Sequence, residues 1–123
     1  MSSSIQVVNI ADKMAAFSEH WSPRVAGQVN DTHIRFVKIL GDFVWHHHAD
    51  EDEMFLVVKG EFTLRLRDRD LKVRAGEFVI IPRGTEHMPS AEQEAEILLI
   101  EPATVVNTGN VRDARTVSQL QQI

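Results

Sequence analysis

The 123-residue sequence predicts an all-β barrel or sandwich with one short N-terminal helix, and three observations lead there. Apolar residues recur with period two in short segments after Pro23, the repeat of a strand whose successive side chains point to opposite faces. Gly60, Gly76, Gly84 and Pro82 punctuate those segments. Only one stretch, near the start, repeats at helical spacing. Many short strands beside a single helix are the pattern of a closed or doubly layered β fold.

The elements follow in chain order. Asn9 suits a helix N-cap, because its side chain can accept an orphan backbone N–H, and Asp12 sets a carboxylate in the first turn. Ile10, Met14, Phe17 and Trp21 recur at helical spacing and predict a helix closed by Ser22-Pro23, its apolar stripe a packing face. Arg24 to Asn30 is a candidate edge strand, and in His33 to Leu40 Ile34 and Phe36 alternate against Arg35. Met54 to Val58 is a continuous apolar strand. Phe62, Leu64 and Leu66 alternate with Thr63, Arg65 and Arg67; Asp68-Arg69-Asp70 reads as a turn; Leu71 and Val73 return against Lys72 and Arg74. These basic residues read as the wet side of a sheet. Pro82 stops a strand at Phe78 to Ile81, and Pro102 stops another at Ile97 to Glu101. From Ala103 the chain is polar, with a turn at Asn107-Thr108-Gly109-Asn110. The expected division is a helical segment 1–24, a barrel 25–102 and a tail 103–123 packed on the barrel or on a partner.

Composition excludes several classes of function. Thirteen Lys and Arg against 18 Asp and Glu give a net charge of −5, so a nucleic-acid backbone is repelled on average. No cysteine means no disulfide, thiolate metal site, iron–sulfur cluster or cysteine nucleophile. Apolar runs such as Met54 to Val58 and Ile97 to Ile100 are far shorter than the roughly 20 residues of a spanning helix. The start, Met-Ser-Ser-Ser-Ile-Gln, lacks the basic and apolar regions of a secretory leader. A soluble cytoplasmic protein without nucleic-acid or membrane partners is expected.

Chemistry concentrates in the histidines. Four of the six fall in two places, His46-His47-His48 and His87. Strand alternation puts His46 and His48 on one face and His47 on the other. Two imidazoles side by side can grip one metal ion, and a hairpin at Ala49 to Asp52 brings the Glu53 carboxylate back beside them. Phe55 and Val57 share Glu53's face, as cavity lining or as core. Asp50-Glu51-Asp52 reads as a solvated loop. His20 is expected at a helix end, where an imidazolium suits the dipole, and His33 at a strand start without a partner.

Gly41-x4-His46-x-His48-x4-Glu53-x6-Gly60, followed by Gly76-x5-Pro82-x-Gly84-x2-His87, resembles the two motifs of the cupin superfamily. The chain resembles in particular the small single-domain cupins of the mannose-6-phosphate-isomerase-like group. Two details depart from the family: Gly41 stands one residue closer to the first histidine than usual, and Ala91 replaces a common Asn. The resemblance implies a double-stranded β-helix of jelly-roll topology holding one divalent transition metal per chain through His46, His48, Glu53 and His87. Imidazole and carboxylate donors suit Fe, Mn, Ni, Zn or Cu without selecting among them.

The function the resemblance implies is a metal-dependent enzyme on a small organic substrate, dioxygenase-like or sugar isomerase-like. The alternatives are a non-catalytic barrel that binds or senses a small ligand, and a purely structural metal. A sugar phosphate would need an inward cation, and Arg83 is the nearest in sequence. A homodimer is expected, with the Arg24 to Asn30 edge, Trp21 or Trp45 at its interface.

Overall fold

The computed structural model describes residues 5–123, and it is a β-barrel of eight strands with one short helix among those residues. Residues 1–4, where the leader reading and the helical segment begin, lie outside the described residues. The strands are β1 (Arg24–Val29), β2 (Thr32–Asp42), β3 (Glu53–Lys59), β4 (Glu61–Leu66), β5 (Asp70–Arg74), β6 (Phe78–Ile81), β7 (His87–Pro102) and β8 (Gln121–Gln122). One face runs β6-β3-β7-β2-β1-β8, and β5-β4 join the first residues of β7.

β7 ties the two faces together. It has 16 residues against the short Ile97 to Glu101 strand expected, because polar Ser90 to Glu94 conceal its first half. His87 to Ser90 pair with β4, Ser90 to Pro102 with β2, and Glu96 to Ile100 with β3. The predicted β4–β5 hairpin is present, with Phe62 opposite Val73 and Leu64 opposite Leu71. A lone Gly60 at φ +83° joins β3 to β4, where a Cβ would stand 3.1 Å from the Glu94 carbonyl oxygen. Phe55, Val57, Phe62, Leu64, Ile97 and Leu99 fill the barrel interior.

The helix α1 (Ile10–Met14) is shorter than its apolar stripe suggests. Asn9 Oδ1 does accept the Asp12 N–H, at 2.9 Å, but the chain then leaves the helix to lie along β2. Lys38 Nζ donates to the Phe17 carbonyl at 2.7 Å, and Trp21 donates its backbone N–H to Lys38 O at 2.9 Å. Trp21 sits at φ 60°, which no continuing helix adopts. The stripe is therefore divided: Met14 and Phe17 pack on Phe36 outside the barrel, while Trp21 enters the interior. Buried there, Trp21 is removed from any subunit interface. β1 is also less of an edge than expected, because β8 pairs with its first two residues. No helix among the described residues is long and apolar enough to cross a membrane.

Candidate metal centre

His46, His48, Glu53 and His87 are all buried, and one donor atom from each lies within 4.8 Å of the others. The fold brings them together by three local devices. His46-His47-His48 is extended but belongs to no regular strand, and a single antiparallel bridge joins His46 to His87. In that bridge His46 N–H donates to His87 O at 3.1 Å and His87 N–H donates to His46 O at 2.9 Å. Glu53 is the first residue of β3, returned by the acidic connection, and its face is continued inward by Phe55 and Val57. Sequence spacing could not place His87; its position at the head of β7 does.

Donor orientation follows from carbonyl acceptors. The Nδ1 atoms of His46 and His87 lie 2.8 Å from Val44 O and Thr85 O. A carbonyl only accepts, so each Nδ1 carries the hydrogen and each Nε2 is left with a lone pair. The Nε2 atoms of His48 and His87 lie 3.2 and 3.0 Å from Glu53 Oε1. Those are ion-pair distances, yet all three atoms are buried without hydrogen-bond geometry to any partner. Such orphaned atoms are costly unless something else satisfies them. Their separations are those of adjacent donors around an ion about 2.1 Å from each, so the residues fit a metal.

Burial, then the neighbouring His87, pushes the His46 pKa down to about 4. Burial alone would raise Glu53, but the His48 and His87 imidazoles reverse this and hold it below the ordinary carboxylate range. Both residues are thereby kept in their metal-binding protonation states near neutrality.

Two buried residues beside the centre escaped the sequence reading. Alternation set Arg35 opposite Ile34 and Phe36 and gave it no role, but it is 0% exposed, whereas Phe36 lies under the helix. Arg35 donates to Glu101 Oε2, to Val105 O at 2.9 Å and to Ala103 O at 3.0 Å. Glu101 turns its other oxygen, Oε1, inward without a partner. Burial, and then the Glu53 charge, raise its pKa well above the ordinary value against the pull of Arg35. Strand parity could have found Glu101, which shares phase with Ile97 and Leu99, but not Arg35, because both phases of β2 carry buried apolar residues.

A cavity of about 40 Å³ adjoins the centre, lined by His46, Glu53 and Glu101 and by aromatic residues including Trp21, Phe43 and Phe55. The other expected positions lie away from it. His47 is half-buried and turned outward, as alternation required. His20 pairs with Glu94 at 2.7 Å instead of ending a helix. His33 is not partnerless: its Nδ1 accepts from Arg35 Nε at 3.2 Å. Arg83 is exposed and bound to Asp52, so it supplies no inward cation. Arg65 and Arg67 remain on the wet side, where Arg67 stacks 3.9 Å above the Trp45 ring.

The chain resembles proteins of known sequence and of known structure. The chain is 39% identical over 61 residues to the uncharacterized protein YdbB of Bacillus subtilis, covering 49% of this chain and 54% of that one. It is 34% identical over 65 residues to the 3-hydroxyanthranilate 3,4-dioxygenase of Brucella anthropi, covering 47% and 36% respectively. The chain thus spans about half of the first relative's length and about a third of the second's. The crystal structure of a cupin-2 domain containing protein from Shewanella frigidimarina superposes with a TM-score of 0.77 at 47% identity, over 78% of this chain and 94% of that one. Residues 37–101, more than half of the sequence, match the cupin domain itself, and the protein belongs to the cupin family.

Proposed function

We propose that the protein is a metal-dependent enzyme of dioxygenase type acting on a small organic substrate, with one divalent transition ion per chain held by His46, His48, Glu53 and His87. The observation that carries this reading is the convergence of the buried, unpartnered His48 Nε2, His87 Nε2 and Glu53 Oε1 atoms, beside a small cavity that Glu53 and Glu101 also line. A bound ion at such a centre supplies Lewis acidity and, where it is iron, activation of dioxygen. The chain's own residues supply the rest. Val44 and Thr85 orient two imidazoles through their carbonyls. Trp21, Phe43 and Phe55 give the cavity an aromatic wall. Glu101 presents a carboxyl oxygen that can hold or exchange a proton with what enters.

The choice of dioxygenase over sugar isomerase chemistry rests on charge. An isomerase of the mannose-6-phosphate-isomerase-like group needs a cation facing the metal to hold a phosphate. Arg83 faces solvent, and Arg35 is engaged by Glu101 and two carbonyls. The cavity of about 40 Å³ holds a diatomic or a water or two, not a sugar, so a larger substrate must approach from its rim. The Brucella relative carries a dioxygenase name, which supports the same choice.

The barrel at 25–102 carries this site in our reading, Met14 and Phe17 of the preceding segment cover its outer face and the tail 103–123 closes it. We further infer a cytoplasmic homodimer. Absence of cysteine supports the compartment, and exposed Phe78 and Ile80 on β6, which pairs only with β3 among the described residues, support the dimer.

The test is metal content by plasma mass spectrometry, for wild type and His48→Ala, followed by dioxygen uptake of the iron-loaded protein with 3-hydroxyanthranilate as probe. One equivalent of metal per chain, lost in the variant, and substrate-dependent uptake are expected. No metal in either protein after reconstitution would overturn the reading. Metal without oxygen uptake would favour the ligand-binding alternative.

A further inference from the structure

The tail beyond the matched cupin domain lies directly against the ligand segment. Extended His46-His47-His48 has two backbone edges, and successive residues present their N–H and C=O groups to alternate edges. His46 offers its pair to His87. His47 offers its pair the other way, to Asn110 of the tail. His47 N–H donates to Asn110 Oδ1 at 2.9 Å, and Asn110 N–H donates to His47 O at 3.1 Å. One asparagine thus plays both donor and acceptor of a missing strand partner.

The approach is close enough to demand glycine. At Gly109, φ +57°, a Cβ would fall 2.2 Å from His47 O and 3.0 Å from His46 Cδ2. The turn is itself anchored from both sides. Arg35 grips Ala103 O and Val105 O before it. Fully buried Thr108 bonds Val111 O at 2.6 Å and Thr116 Oγ1 at 2.7 Å. Asn107 receives Val117 N–H at 2.9 Å and donates to Arg115 O at 2.8 Å. Residues 103–117 form a strap whose inner turn rests on the backbone of His47, between two of the four ligand-bearing positions, and on the edge of the His46 ring.

We propose that Gly109 and Asn110 are positioning residues of the metal centre, fixing the backbone between His46 and His48 so that both imidazoles face the same ion. This rests on the metal reading above. Neither residue touches the ion; they act through the His47 peptide groups, as outer partners of ligands do.

The probe is Co(II), bound to the full chain and followed by its visible d–d bands and by chelator competition. Asn110→Leu removes the acceptor for His47 N–H, and Asn110→Asp keeps it. Asn110→Leu should weaken Co(II) about tenfold and alter the bands, whereas Asn110→Asp should stay near wild type. Gly109→Ala should do at least as much as Asn110→Leu. Ile123→Ser, which removes the side chain that packs on the Met14, Phe17 and Phe36 cluster at the far end of the same tail, serves as the stability control. It should lower the thermal midpoint of the metal-free protein and leave the bands unchanged. Co(II) affinity and bands unchanged in Asn110→Leu would overturn the inference alone, as would equal affinity losses in Asn110→Leu and Ile123→Ser. Wild type that takes up no Co(II) would remove the metal reading and this inference with it.

Discussion

Metal-free protein should lose stability as pH falls below 6.5, and His46 carries a share that can be worked out. Its imidazole is buried, and burial followed by His87 lowers its pKa to about 4. Unfolded, it titrates near the ordinary 6.5. Between those two values the unfolded chain binds a proton that the folded chain refuses, so stability falls with falling pH and the loss is complete near the folded value. At about 1.4 kcal/mol per pH unit, roughly 2.5 units give a full loss of about 3 kcal/mol, of which about 2 kcal/mol is gone by about pH 5.

Other groups shape the raw profile, so the measurement must be a difference. His33, lowered by burial and by Arg35, acts in the same direction. Glu101, raised by burial and by Glu53, acts oppositely: its folded state binds the extra proton, and its penalty is relieved as pH falls toward the ordinary carboxylate value. Glu53, held low by its two imidazoles, contributes stability that fades only as pH falls below the ordinary carboxylate range. Urea unfolding in EDTA from pH 7.5 to 4.5, for wild type and His46→Gln, isolates the His46 share, because glutamine can still donate to Val44 O but does not titrate. The wild-type advantage should shrink by about 2 kcal/mol between about pH 7 and 5. An advantage constant across that range would refute the reasoning, since His46 would then be solvated in the folded barrel.

Arg35→Met should destabilise by about 3–5 kcal/mol in urea, because it leaves the Glu101 carboxyl and two carbonyl acceptors buried without their donor. The loss should be smaller at pH 5 than at pH 8, where Glu101 has more reason to ionise. If the exposed β6 face carries the inferred dimer, Phe78→Glu should halve the mass measured by light scattering while leaving the far-ultraviolet spectrum unchanged; a wild-type mass of one chain would refute the dimer, and a dimeric mass kept in the variant would refute this face.

What the sequence disclosed depended on how each residue is held. β4 and β5 were legible because one face is wet, so Phe62, Leu64 and Val73 stand out against arginines and lysine. The four clustered side chains were legible through the motifs they resemble, since spacing alone could not bring His87 to the other three. Arg35 was misplaced because β2 is covered on both faces: Phe36 packs under the helix while Val37 and Ile39 fill the barrel, and a two-residue alternation then cannot tell inside from outside. The helical stripe failed for a related reason. Met14, Phe17 and Trp21 are all buried, but in two clusters on opposite sides of one strand, so burial at helical spacing arose without a continuous helix.

The tail was opaque because its order is not written in apolar period at all. Asn107, Asn110 and Arg115 bind backbone groups of distant segments, including the Trp21 carbonyl at 3.3 Å, the His47 peptide and the Asp42 carbonyl at 2.9 Å. Such residues look like any solvated turn until their acceptors are known. Gly109 shows the difference most sharply. In sequence it marks a turn, whereas in the fold its missing Cβ is the space occupied by His47 O. A glycine that serves local φ and a glycine that serves a distant backbone read identically, and only the second bears on how the imidazoles on either side of His47 are held.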